Sequence, residues 1–310
     1  MKELILLCLL SLPMFSCTNS GETKKVAQNS NDIGEMTTDK GDDNNPFFAY
    51  NFGGLENLKP IEQISLLKEN GYDGITLRMA KEEHVQQYKE FAEIVDRTDD
   101  FKIYSVFVRY NFDDATEDQN RWKAVVDLIQ DKGIDLWFIF GKPIEGVNDE
   151  LVEGILREVV EYSASKNVPV TLYPHSWCYF YSAEQSLPMV KKINHPNLKL
   201  ALHTCHELKA GHAGRLDEVV YNTKDYLSFI TIAGAAKEVD MTSRKTMDRT
   251  TIQPLEDGEY DMAPFLKALK KVNFKGPVGY INFKFDKEPG DYLPKSLAEW
   301  NRLKNQYLQY

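Results

Sequence analysis

The chain has 310 residues, and its 47 acidic against 37 basic side chains give a formal net charge of −10. That balance argues against a nucleic-acid surface. The four cysteines are too few for a disulfide scaffold, and two of them, Cys8 and Cys17, fall in the N-terminal stretch.

Residues 1–17, MKELILLCLLSLPMFSC, carry one Lys, an apolar run and a small residue before Cys17. This reads as a secretory signal, too short to span a bilayer as a helix. Residues 18–45 are polar and nearly free of large apolar side chains, so they cannot bury enough surface to offset their ordering entropy and read as a flexible tether. Residues 46–310 are left for one large α/β domain.

From Pro46 onward strand and helix patterns alternate. FFAYN (47–51) reads as a strand, 61–71 as a helix stopped by Gly71, 73–79 as a strand and 82–96 as a helix. KIYSVFVRY (102–110) precedes a helix over 117–132, and DLWFIFGK (135–142) one over 149–167. Two strands follow in which Val168, Val170 and Leu172, then Leu198, Leu200 and Leu202, alternate with other residues. A helix over 183–193 separates them, and a further helix covers 216–223. LSFITIAGA (227–235) is a seventh strand. The polar stretch 236–259 is longer than an ordinary connection and reads as a lid or substrate loop. A helix over 262–273, the strand GPVGYINFKF (276–285) and a helix over 293–308 close the chain. About eight strand–helix repeats predict a (β/α)₈ TIM barrel. A doubly wound open sheet is the alternative, but no GxGxxG or P-loop pattern supports a nucleotide-binding version.

Four of the six histidines lie in two bursts after the fifth and sixth strands, Tyr173-Pro174-His175 and His203-Thr204-Cys205-His206 through His212. Polar clusters at strand C-termini are where an α/β barrel builds its site. Strand parity sends Asn51, Arg78, Arg109, Lys142, Tyr173, His203, Asn282 and Lys284 to the barrel mouth, with His175 and His206 just beyond. Arg78 shares parity with Thr76, opposite Ile75 and Leu77. Cations in a concave mouth favour an anionic ligand or a developing oxyanion; alternatively, they pair with carboxylates such as Asp113 or Asp286. Cys178 and Cys205 follow the two central strands and could lie close together.

Ser16-Cys17 resembles the lipobox of bacterial lipoproteins, which implies lipidation at Cys17 and an exported, membrane-anchored protein. YPH after the fifth strand, HTCHELKAG after the sixth, IQPLEDGEYDMAPFLKALKKVNFKGPVGY and the closing PKSLAEWNRL resemble the xylose isomerase-like TIM barrels, also called sugar phosphate isomerase/epimerase-like proteins. The resemblance runs from about Phe47 to Leu308. It implies a divalent metal held by two Glu, an Asp and a His, polarising a sugar carbonyl while a carboxylate or His moves a proton. Here the ligand set departs from the pattern. Tyr173-Pro174-His175 stands for Glu-Asn-His and His203 for the Asp, while His206 is kept. Thr231 or Ala233 stands for a His, and Ile281, Asn282 or Phe283 for a Glu. No oxygen-rich Mg²⁺ or Mn²⁺ site is visible, although three imidazoles, His175, His203 and His206, would suffice for zinc.

Proton transfer next to a carbonyl then falls to His206 or His175 as base. Lys284, Arg78 and Arg109 would hold the oxyanion or an anionic substituent. Trp177, with Tyr179 and Phe180, offers an apolar platform for a sugar face. Gln253 would reach the ligand from the long loop, and Cys205 is a weaker nucleophile candidate. The expected activity is isomerisation, epimerisation or β-elimination of a carbohydrate, including a lyase acting on an oxidised keto glycoside. The alternative is a sugar-binding lipoprotein that kept the barrel without catalysis.

Overall fold

The computed structural model describes residues 44–113 and 118–310. The expected signal, Cys17 and nearly all of the tether lie outside them. Eight parallel strands close in sequence order into a barrel. They are β1 (Phe47–Tyr50), β2 (Gly74–Arg78), β3 (Lys102–Tyr110), β4 (Asp135–Phe140), β5 (Val170–Leu172), β6 (Leu198–His203), β7 (Leu227–Ile232) and β8 (Val278–Tyr280). β8 pairs with β1 in parallel, Phe48 opposite Gly279, which leaves no sheet edge.

The strands are buried on both faces, and two apolar clusters result. Phe47, Ile75, Leu77, Val106, Leu136, Phe138, Val170, Leu200, Leu202 and Ile230 face the helices. Phe48, Tyr50, Trp137, Ile139, Ala201 and Phe229 fill the barrel interior. Aromatic rings, rather than layers of Val and Ile, plug this barrel: Trp137 packs edge-on against Phe229 at 5.1 Å between centroids and against Tyr173 at 5.3 Å. Register shifts at Ile75/Thr76 and Leu200/Ala201 re-aim the upper halves of β2 and β6 relative to their neighbours.

Two expectations need correction. The stretch 236–259 is not an irregular lid. It holds the helix Arg244–Thr251, capped by Ser243, and a 3-10 turn at Leu255–Asp257. Its C-terminal side is stapled to the end of β7 by a two-way antiparallel bridge, Gly234 N–H to Gln253 O at 2.9 Å and Gln253 N–H to Gly234 O at 2.8 Å. A Cβ at Gly234 would lie 2.1 Å from the Pro254 carbonyl oxygen, so only glycine admits this approach. The second correction is a short helix directly after β6, Thr204–Lys209, where polar residues without a long apolar stripe gave no helical signal. The last helix also starts earlier than expected, at Pro289.

Candidate active site

A cavity of about 340 Å³ opens at the C-terminal end of the barrel, within the ~300–1,000 Å³ range of small-molecule sites. Its floor is aromatic. Tyr50 at the end of β1 and Tyr173 after β5 meet hydroxyl to hydroxyl at 3.2 Å. Burial pushes both phenols well above their ordinary range. Beneath Tyr173 lies His203, its ring stacked at 3.7 Å and its Nδ1 2.6 Å from Thr231 Oγ1. His203 is 1% exposed and does not line the cavity, and its Nε2 has no partner. It supports the floor, which corrects its expected place at the barrel mouth.

His175 and His206 do line the cavity, with ring centroids 4.2 Å apart. Burial, then the Arg109 guanidinium, hold His175 down at about 4. Burial, then neighbouring His175, push His206 well below the usual imidazole value. Both rings are therefore neutral near pH 7 and available as proton acceptors.

Cations surround them. Arg78 and Arg109 line the wall from β2 and β3. Desolvation, and then Arg109, lower the Arg78 pKa. Arg244 stacks on Trp177 at 5.7 Å, and Lys284 lies 4.8 Å over the Phe283 ring. No ion pair joins Arg78, Arg109, Arg244 or Lys284 to a carboxylate among the described residues, so neither Asp113 nor Asp286 neutralises them. Trp177 and Lys284 have φ of 70° and 58°. Such left-handed conformations are uncommon for non-glycine residues and gather at ligand sites.

Among the described residues Asp248 is the one carboxylate lining the cavity, and Lys209 holds it at 2.7 Å. The Lys209 side chain is 4% exposed. Sequence reading missed Tyr50, Arg121, Lys209, Arg244 and Asp248. Lys209 follows His206 by three residues on one face of the short helix. Arg244 and Asp248 stand four apart on the helix inside the supposed loop, a spacing that signals a shared face once the helix is admitted.

Other expected residues lie elsewhere. Asn51 and Asn282 have the wrong parity, because Phe48 and Tyr50 on β1 and Ile281 after β8 take the interior positions. Asn282 instead accepts from Tyr50 N–H at 3.1 Å and donates to the Phe52 carbonyl at 2.6 Å, tying β8 to β1. Asn51 is buried outside the cavity lining. Gln253 spends its backbone on the Gly234 bridge and its amide on the Arg249 carbonyl at 3.1 Å. Lys142 is exposed and off the cavity. Tyr179 bonds Asp149, and Phe180 packs in the outer core. Cys178 and Cys205 are free thiols. Burial pushes Cys205 up to about 11, which removes the thiolate a nucleophile needs.

The donor set does not suit a metal. Among the described residues no three His, Cys, Asp or Glu are grouped to hold one. His203 lies below Tyr173 with its ring 5.7 Å from His206, and Arg78, Arg109, Arg244 and Lys284 stand around the cavity. This corrects the three-imidazole zinc arrangement.

A closed parallel (β/α)₈ barrel with a polar cavity at its C-terminal mouth is an enzyme-type scaffold. The chain belongs to the xylose isomerase-like TIM barrel family, whose model matches residues 64–302. Solved structures share the fold. The IOLI protein, solved with a binding zinc atom, superposes with a TM-score of 0.67 at 15% identity, covering 86% of this chain and 100% of that one. D-allulose 3-epimerase from Methylomonas sp. gives 0.62 at 14% identity, covering 84% and 98%. A xylose isomerase-like TIM barrel/4-hydroxyphenylpyruvate dioxygenase fusion protein gives 0.65 at 18% identity over 85% of this chain, which spans 43% of the fusion. A search of curated protein sequences found no match.

Proposed function

We propose that this chain is an enzyme that moves a proton next to the carbonyl of an anionic sugar, in isomerisation, epimerisation or β-elimination. One observation carries the reading: unpaired guanidinium and ammonium groups share a cavity with two neutral imidazoles. Cations of that kind bind a carboxylate and stabilise the oxyanion formed when a C–H next to a carbonyl is broken. A neutral imidazole takes the proton. Family membership and an epimerase among the structural neighbours support sugar as the substrate class.

The low basicity of His175 comes from burial and then from the cations around it. A bound anion offsets the field of Arg109, Lys209 and Arg244, all of which depress it, and so raises its pKa toward the working range. Arg78, Arg109 and Lys284 hold the anionic group and the oxyanion, and Trp177 covers the sugar face. A keto glycoside, whose α-proton is acidified by its carbonyl, fits the same chemistry.

The low basicity of His175 also favours a second reading, a sugar-binding protein without turnover. Incubation of sugar acids and keto sugars in deuterium oxide with a metal chelator separates them. Solvent deuterium at the carbon beside the carbonyl supports the enzyme, and binding without exchange supports the binding protein. Export and anchoring through a lipid on Cys17 belong to the same proposal, on the pattern of residues 1–17. Labelling with a radioactive fatty acid tests it, with label lost in Cys17→Ala.

A further inference from the structure

Both cavity imidazoles hydrogen-bond to one residue, but at chemically different atoms. His175 Nδ1 lies 2.8 Å from the Ser176 backbone oxygen, and His206 Nδ1 lies 3.0 Å from Ser176 Oγ. A carbonyl oxygen can only accept. His175 must therefore carry its proton at Nδ1, because two lone pairs would otherwise face each other at 2.8 Å. A neutral ring has one N–H, so His175 Nε2 holds a lone pair. Cys178 Sγ, 3.8 Å from the same Nδ1, is a longer and weaker partner than the carbonyl.

The local backbone explains where that carbonyl points. Cys178 N–H donates to His175 O at 3.0 Å, which closes a β-turn with Ser176 and Trp177 at its centre. Trp177 at φ 70° occupies the left-handed third position of a type II turn, ordinarily given to Gly or Asn. In that turn type the central peptide is turned over relative to type I, and its carbonyl is that of Ser176. The uncommon Trp177 conformation thus directs the Ser176 oxygen at the His175 ring.

A hydroxyl, unlike a carbonyl, can donate. With the ring centroids 4.2 Å apart, two neighbouring rings of the same tautomer would carry like partial charges close together. Donation from Ser176 Oγ to His206 Nδ1 relieves this by placing the His206 proton on Nε2. We propose that Ser176 is a positioning residue that sets opposite tautomers in the two histidines, making His175 Nε2 the proton acceptor and His206 Nε2–H the proton donor.

The roles rest on the proton-transfer reading above. The C–H bond beside the carbonyl breaks, its proton goes to His175 Nε2, and its electron pair becomes the enediol double bond. The carbonyl oxygen takes the displaced charge and receives the His206 Nε2 proton. Reversal at the neighbouring carbon returns both protons.

Long-range ¹H–¹⁵N spectra of the full chain with ¹⁵N-labelled histidine, at pH 7.5, read the tautomers without any substrate. The expected result is a single Nδ1–H form for His175 and a single Nε2–H form for His206. Ser176→Ala keeps the carbonyl and removes the hydroxyl. It should leave His175 unchanged, give His206 mixed tautomers and lower kcat about 10–100-fold at unchanged KM, with Ser176→Thr restoring both. An Nε2–H form of His175, or a His206 signal unmoved in Ser176→Ala, overturns the assignment. Should the tautomers be as stated while no sugar exchanges deuterium, the proposed function fails and the positioning role of Ser176 stands.

Discussion

Acid should destabilise this barrel over a defined pH window, and His175 supplies a measurable share. Its imidazole is held at about 4 in the folded chain against 6.5 for an ordinary histidine, through burial and then Arg109. Above pH 6.5 both folded and unfolded chains carry it neutral, and it contributes no pH dependence. As pH falls from 6.5 toward 4, the unfolded chain takes up a proton that the folded chain refuses, so stability declines. Below about 4 both forms are protonated and the loss levels off. A gap of about 2.5 pH units at ~1.4 kcal/mol each amounts to about 3.5 kcal/mol over the whole window. His203 and His206 are depressed in the same direction and deepen the decline. The perturbation is His175→Gln, and the assay is urea unfolding of both proteins at pH 7.5 and 4.5. The variant should lose about 2–3 kcal/mol less than wild type between the two pH values. Equal losses would refute the reasoning, because they would mean that His175 titrates alike in both states.

Removing Arg109 acts on the same group from outside. In Arg109→Gln the His175 titration followed by NMR should move up from about 4 yet stay below 6.5, since burial, the larger cause, is unchanged. Asp248→Asn leaves Lys209, 4% exposed, without its 2.7 Å partner. Because Asp248 is itself partly exposed, chemical denaturation should register about 2–3 kcal/mol, below the ~3–5 of a fully buried pair. Asp135 behaves oppositely to the histidines. It is buried in the barrel, Thr171 donates to one oxygen at 3.0 Å, the other has no partner, and burial holds its carboxyl well above the usual range. The folded chain keeps a proton that the unfolded chain releases above about pH 4, so wild-type stability falls as pH rises. Asp135→Asn should therefore melt higher, by a margin that grows as pH rises above about 4.

The barrel was legible in the sequence because each strand brings its own apolar run and each helix its own stop, and those signals are local. Facing was legible only where the two sides of a strand differ. On β2 the alternation of Ile75, Thr76, Leu77 and Arg78 marks the inward side, and Arg78 lines the cavity. On β1 all four residues are buried, so parity carries no signal there, and Asn51 was put where Tyr50 stands. β8, three residues long, misled in the same way, and Lys284 reaches the cavity through a left-handed turn that alternation cannot foresee. His175 and His206 drew attention by residue type. Ser176, which touches both, did not, because a serine beside a histidine has no pattern of its own. Lys209, Arg244 and Asp248 stayed hidden because their elements are short helices specified by tertiary contact rather than by an apolar stripe.

Unpaired cations beside neutral imidazoles should select an anionic sugar over a neutral one. Isothermal calorimetry with matched pairs, uronates and keto-aldonates against their neutral parent sugars, tests it most directly in wild type and in an Arg78→Gln/Arg109→Gln double variant. Each lost charge at about 1.4 kcal/mol is a tenfold change, so the account predicts that wild type prefers an acid and that the double variant binds it about 100-fold more weakly while neutral sugars are unaffected. Equal affinity for acid and neutral sugar in wild type, or an acid affinity that survives the double substitution, would contradict it.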